Sequence, residues 1–283
     1  MEQQEHWDLE IKPKTRLLDF NFREVWRYRD LLFLFVRRDF VSQYKQTILG
    51  PIWHFIQPIL TSLMFLFIFS KVAKIPTDGI NPILFYLSGI TLWNYFSITL
   101  NATSSTFLSN ASIFGKVYFP RIIMPLSVII SNLIRFGIQL LLLFVAMLWF
   151  HFHGEEFKFS VVLLGLPVLL VLMAGIGLGL GIIVSSITTK YRDFTVLMSF
   201  AVQLGMYATP IIYPVSYLQH TSYAWITRIN PLTPIVEAFR YALFQRGTFQ
   251  LSDLLYSAVF MVVVLMIGML AFNKVEKTFM DTV

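Results

Sequence analysis

Apolar residues along this chain fall into six long blocks, near 52–72, 83–108, 121–150, 161–187, 194–214 and 254–273. Each is close to the roughly 20 residues that a helix needs to cross the hydrocarbon core of a bilayer. The pattern therefore predicts six membrane-spanning helices joined by short connections. Ahead of the first block, 22–50 alternates differently. There Trp26, Leu31, Leu34, Phe35, Phe40, Tyr44 and Ile48 are interleaved with charges. That spacing predicts an amphipathic helix at the membrane interface, either a surface anchor or a docking surface for a soluble partner. It runs into Gly50-Pro51, which reads as a joint between surface helix and first span.

Polar residues recur inside the blocks at helical spacing. His54, Gln57 and Thr61 form one stripe, and Asn94, Ser97 and Asn101, continuing to Ser104 and Ser105, a second. Asn132, Arg135 and Gln139 form a third, and Ser199, Gln203 and Tyr207 a fourth. Such stripes must face protein or water, so each predicts either an interhelical hydrogen bond or part of a hydrated path. Arg135 is the one strongly basic residue deep in a block, placed to meet an anionic substrate group or to pair with a neighbouring helix. Gly175, Gly177, Gly179 and Gly181 give the fourth block a small-residue face, which predicts close helix packing.

The stretch 208–249 breaks the rhythm. Pro210, Pro214, Pro231 and Pro234 divide it into short apolar and aromatic pieces carrying Tyr213, Tyr217, Tyr223, Trp225, Phe239 and Tyr241. Thr233 is the expected N-cap of its last helix, with Pro234 at the first helical position and Glu237 and Arg240 in the following turns. Broken helices at a membrane face dip in and return, so the stretch predicts a re-entrant external gate or, more simply, an interfacial aromatic belt.

Composition agrees with the pattern. The 283 residues are 56% hydrophobic and 13% charged, with no cysteine for a disulfide or thiolate site. Charge then orients the chain. Lys12, Lys14, Arg16, Arg23, Arg27, Arg29, Arg37, Arg38 and Lys45 precede the first span, while Lys116, Arg121, Lys190, Arg192, Lys274 and Lys277 flank later ones. These fifteen of 22 basic residues share one side, which the positive-inside rule makes cytoplasmic, both termini included. The net charge of +6 thus reports topology and not a nucleic-acid partner. The first fifty residues show no cleavable-signal pattern, so the N-terminus is expected to be retained.

Catalysis finds little support. No G-x-x-x-x-G-K-[ST] occurs, so the chain holds no P-loop of its own. His151 and His153 stand near Glu155 and Glu156, a weak metal pattern that also fits a solvated turn. The spans contain no paired carboxylates for proton coupling or membrane-embedded hydrolysis.

Several segments together resemble a known family. They are Arg38-Asp39-Phe40 with Tyr44-Lys45-Gln46-Thr47-Ile48-Leu49-Gly50-Pro51-Ile52-Trp53 and Gln57-Pro58, then Tyr191-Arg192-Asp193 and Thr209-Pro210-Ile211-Ile212-Tyr213-Pro214. Asn230-Pro231-Leu232-Thr233-Pro234 with Glu237 and Arg240, and the ending Phe272 to Asp281, complete the set. The combination resembles the ABC-2 type permeases that export lipid-linked polysaccharides, over about residues 30–283.

The resemblance implies an all-α membrane protein of six spans preceded by an interface helix, with re-entrant gate helices between spans five and six. It divides the chain into a variable N-terminus (1–21), the interface helix (22–50), the transmembrane domain (51–273) and a cytoplasmic tail (274–283). It further implies a homodimer in the inner (plasma) membrane, working with two cytoplasmic ABC ATPase subunits that bind the ATP and magnesium. This chain would hold no cofactor. The expected cargo is a polysaccharide on an undecaprenyl-diphosphate-type lipid, with O-antigen leading and teichoic acid, capsular polysaccharide or a small lipid or drug as alternatives.

Coupling to the ATPase would fall on Arg38, Asp39, Tyr44, Lys45, Lys116, Arg121, Tyr191, Arg192 and Asp193. The path and gate would use Asn94, Asn101, Asn132, Arg135, Gln203, Tyr207, Tyr213, Tyr217, Trp225, Arg228, Glu237 and Arg240. Among these, Arg135, Arg228 and Arg240 are the candidate contacts for the lipid diphosphate.

Overall fold

The computed structural model describes residues 22–45, 50–114, 116–157, 160–219 and 221–282. The extension before residue 22 and the motif residues Gln46–Leu49 lie outside the described residues, as do the side chains of Tyr44 and of the tail from Glu276 onward. Described residues are helical wherever they are regular. In order they form α1 (Phe22–Arg27), α2 (Arg29–Tyr44), α3 (Trp53–Phe65), α4 (Pro82–Ser104), α5 (Thr106–Ser109), α6 (Ala111–Phe114) and α7 (Ile123–Phe152). Then come α8 (Leu166–Thr188), α9 (Phe194–Ala208), α10 (Val215–Gln219), α11 (Ala224–Ile229), α12 (Thr233–Phe244) and α13 (Leu251–Thr282).

Five segments are long and apolar enough to cross a membrane: Trp53–Val72, Pro82–Ser104, Ile123–Phe152, Val161–Thr188 and Leu251–Val275. The block expected to span over 194–214 is instead a shorter apolar helix, α9. Its 15 residues rise only about 22 Å, against a hydrocarbon core of about 30 Å. The reason lies in the next dipeptide. Thr209 precedes Pro210, a position where the helical conformation clashes with the proline ring, and its backbone is extended at φ −100° and ψ 142°.

Local chemistry sets the other boundaries. The Asn81 side chain accepts from the Ile83 amide and Pro82 takes the first turn of α4. Ser160 does the same for Val162 at the 3-10 turn leading into α8. Pro58 removes one backbone donor inside α3, and a π-helical stretch, Leu66–Val72, follows it. The predicted single surface helix is interrupted at Tyr28, giving α1 and α2. In α2 the apolar residues are not confined to one face: Phe35 and Val36 are buried while Phe33, Leu34 and Val41 are exposed among the charges.

At the centre sits α4, packed by α3, α7, α8 and α9. Its most apolar window is 78% buried, against 17–22% for the outward-facing α3, α7 and α13. Helix α8 joins it to α13, and here the glycine face works as expected. A Cβ on Gly179 would lie 2.9 Å from the Leu265 amide nitrogen of α13, and one on Gly268 would lie 2.8 Å from the Gly179 carbonyl. Gly177 and Gly181 take the opposite side, against Phe96, Thr99 and Thr103 of α4.

The bundle thus has two distinct ends. The turn before α4, the 153–157 turn and the described residues of 209–250 meet at one; Asn81 donates to Glu155 across 2.6 Å there. The other gathers α5, α6, the 116–121 turn, the α8–α9 turn and the C-terminal half of α13, with Thr188 donating to the Ser104 carbonyl at 3.1 Å.

Candidate functional site

The most constrained chemistry lies in the proline-broken segment at the first end. Asn230 staples its two halves. The side-chain amide donates to the Ala208 carbonyl (3.0 Å) and to Thr209 Oγ1 (2.9 Å), while its oxygen accepts from the Leu232 amide at 2.9 Å. The end of α9 and the start of α12 are thereby fixed to each other. This corrects one expectation. Thr233 is the first residue of α12 and not its cap; its hydroxyl has no hydrogen-bond partner, Leu232 takes the N-cap position without a side-chain capping bond, and Asn230 accepts from the Leu232 amide just ahead of the helix. Pro234 sits in the first turn, as expected.

Two turns further on, Arg240 is 1% exposed. Its guanidinium donates to the carbonyls of Pro210, Ile211 (3.0 Å) and Phe85 (3.4 Å), and lies 3.6 Å above the Phe85 ring centroid. Glu237 Oε1 stands 3.7 Å away as the ion-pair partner. The other oxygen, Oε2, accepts from the Thr248 amide (3.0 Å) and hydroxyl (3.2 Å). One buried pair therefore joins α4, the 210–211 turn, α12 and the 247–248 turn. Burial pulls the guanidinium down to about 10, with the Glu237 carboxylate opposing, so the charge is kept at neutral pH.

Two glycines make room for this cluster. A Cβ on Gly89 would press within 2.9 Å of Arg240 Nη2 and 3.0 Å of Ile211. At Gly247, whose φ of +109° favours glycine, a Cβ would lie 2.9 Å from Glu237 Oε2. Arg240 is enclosed by these contacts and serves as the framework of the segment, out of reach of a lipid diphosphate in this arrangement. Phe85, Gly89 and Thr248 were not singled out from the sequence; no local pattern marks a partner 155 positions away.

The remaining path residues separate into two groups. Asn94 donates to Gln139 (3.3 Å) and Asn132 to Thr99 Oγ1 (3.4 Å), so two polar stripes meet each other between α4 and α7. Asn101 is half-buried near them and its carbonyl accepts from Ser104. Arg135 is half-buried on α7. By contrast Gln203 and Tyr207 lie on an exposed face of α9. Tyr213 donates to the Tyr207 carbonyl at 2.9 Å, and Tyr217, Trp225 and Arg228 are exposed around α10 and α11.

At the second end the coupling candidates stand on an aromatic cluster that the sequence reading passed over. Phe35 of α2 meets Phe119 (5.6 Å between centroids), which meets Phe114 (5.8 Å), and Phe107 stacks on Phe272 at 4.6 Å. Arg38 lies 4.7 Å over Phe35 and binds Asp39 at 2.7 Å; Arg121 lies 5.5 Å over Phe114. The structure thus brings Arg38, Asp39 and Arg121 to one surface. Lys116 and Lys45 are exposed nearby in sequence, and Tyr191, Arg192 and Asp193 are exposed in the α8–α9 turn. His151 and His153 each bond a main-chain carbonyl, of Glu155 (3.0 Å) and Trp149 (2.7 Å).

Residues 30–244 match the family model described as ABC-2 type transporter. The chain belongs to the ABC-2 type transporter family. Two similar proteins, both O-antigen export system permease protein RfbA from Klebsiella pneumoniae, are 28% identical to it; the first aligns over 255 residues, 89% of this chain and 94% of that protein. The Myxococcus xanthus protein of the same name is 27% identical over 264 residues, 92% of this chain and 98% of its own length. An ABC-2 permease is a membrane transport subunit without a catalytic centre of its own. Membership implies an ABC ATPase partner and a multi-pass setting in the membrane, which the apolar helices described above fit.

Proposed function

We propose that this permease is the membrane subunit of an ATP-driven exporter that moves lipid-linked polysaccharide, O-antigen in the first place, across the inner membrane. Similarity to O-antigen export permeases along about nine tenths of the chain is the observation that carries this reading. The working unit is a homodimer with two ATPase subunits, and α9 with its continuation to 214 serves as a sixth span. Both termini and the aromatic end with Arg38 and Arg121 face the cytoplasm, in keeping with the basic residues gathered on that side. The segment that follows, about 214–247, lies at the external face as a re-entrant gate.

The geometry supports a division of labour. A polyhydroxylated chain needs weak, repeated contacts so that it can advance ring by ring. The exposed aromatic faces of Tyr207, Tyr217 and Trp225 offer such contacts without strong binding. The Arg240–Glu237 pair makes the segment beside them a rigid unit, able to move as a body when the ATPase rearranges the other end.

Removing this chain from cells that make O-antigen tests the reading. The expected outcome is loss of the surface polymer with accumulation of its lipid-linked form inside, reversed by returning the gene. Normal surface polymer in its absence would overturn it.

A further inference from the structure

Between α10, α11, the start of α12 and the start of α13 lies a cavity of about 440 Å³. Its volume falls within the range of roughly 300–1,000 Å³ typical of small-molecule sites. Its wall combines opposite hydrogen-bonding characters: the Arg228 guanidinium, the Gln219 and Gln250 amides, the Asp253 carboxylate and the Tyr256 ring. Thr233, 7% exposed, also lines it, and its hydroxyl finds no partner within the protein.

The wall chemistry selects among ligands. An anion would meet two carboxylates, Glu237 and Asp253, against the single cation Arg228. A metal ion would lack ligands, because among the described residues no group of three His, Cys, Asp or Glu comes together. An apolar chain would strip water from amides, a guanidinium and a carboxylate without replacing it. A neutral, hydroxyl-rich ligand satisfies all of them, since each hydroxyl can donate to a carboxylate and accept from an amide or guanidinium. Phe249 and Tyr256 line the same cavity and supply flat faces for the C–H side of a sugar ring.

We propose that this cavity is a saccharide subsite taking one or two units of the exported chain, resting on the export reading given above. Asp253 accepts from ring hydroxyls and Arg228 donates to them, and the buried Thr233 and Glu237 form the floor against which a ring rests. The subsite lies directly on the framework pair, because Glu237 is both its floor and the partner of Arg240. A sugar in it is therefore sensed by the gate.

The test uses the permease reconstituted in vesicles with its ATPase partner. The probes are oligosaccharides of about two to six units cut from the surface polysaccharide of the same cells, with dextran oligosaccharides as the comparison. Binding is followed by saturation-transfer NMR, and export of the intact lipid-linked polymer is measured in the same vesicles. Asp253 and Gln250 are both exposed, so Asp253→Asn and Gln250→Ala leave the fold intact. The own-strain fragments are expected to bind the wild-type complex more tightly than dextran, and each variant to weaken them about tenfold. Equal binding by wild type and both variants would overturn the subsite, as would absence of fragment binding by a complex that exports. A wild-type complex that binds fragments but fails to export the supplied polymer would instead overturn the export reading.

Discussion

The two ends of the bundle are built on opposite principles. At one, the segment 209–250 is held by polar bonds, at their centre buried: Arg240 on three carbonyls and Glu237, Glu237 on Thr248, and the half-buried Asn230 on Ala208, Thr209 and Leu232. At the other, α2, the 116–121 turn and α13 meet through phenylalanine rings, with their cations left at the surface. A buried polar cluster has one geometry that satisfies it, so it specifies shape and fails abruptly when one member is lost. An aromatic cluster tolerates small sliding, and surface charges over it remain open to a partner. The first end is suited to a unit that moves as a body, the second to a contact that is made and remade.

Breaking the buried pair should therefore give the largest effect. Arg240→Ala leaves Glu237 with an unpaired buried oxygen and three carbonyls without their donor; the loss expected is about 3–5 kcal/mol. Thermal unfolding of the purified complex in detergent checks it. Arg240→Lys should fall between the two, since an ammonium keeps the charge but cannot stack on Phe85 or span three acceptors. A loss under about 1 kcal/mol for the alanine variant would mean that the pair is not the framework described here.

Next comes the packing that both ends share. Gly179→Val places two methyl groups where the α13 backbone already stands, costing about 1–3 kcal/mol or preventing α8 and α13 from docking. Gly137→Ala, in α7 with open space around it, should stabilise by up to about 1 kcal/mol through helix propensity alone. The pair of measurements separates close approach from helix propensity.

The staple comes next, without the risk of lost docking. Asn230→Ala removes two donated bonds and one accepted one at a half-buried site, with an expected cost of about 1–3 kcal/mol. Proteolysis at the 209–232 turns, faster in the variant than in Arg240-intact wild type, would locate the loosening. Unchanged cleavage would show that the prolines alone hold the turn.

These residues also mark how far the sequence could be read. The long spans were legible because a bilayer demands contiguous apolar length, and the α8 glycines because close packing leaves a small-residue period. Pro210 was legible as a break, yet its consequence, a fifth block that stops at Ala208, depended on the extended Thr209 before it. The Arg240 cluster was legible only in part. Arg240 and Glu237 share a helix face by spacing, but Phe85, Gly89 and Thr248 come from distant turns, and nothing in a linear pattern pairs them. The aromatic cluster was missed for a related reason: five phenylalanines from four helices and a turn have no common period.

The least expected change in stability belongs to the second end, and it sharpens the comparison most. Arg38 is part-exposed, paired with the adjacent Asp39 and lying over Phe35. A surface pair of this kind is worth about 0–1 kcal/mol, so Arg38→Glu should insert and unfold like the wild type. Charge reversal does, however, invert what α2 presents beside Arg121. If the ATPase grips this surface, the variant should lose polymer export while the same amount of folded permease stays in the membrane, and Arg38→Lys should restore most of it by keeping the charge. Full export by Arg38→Glu with the ATPase still bound would make α2 an anchor only, and would leave the α8–α9 turn, with Tyr191, Arg192 and Asp193, as the place where force enters the bundle.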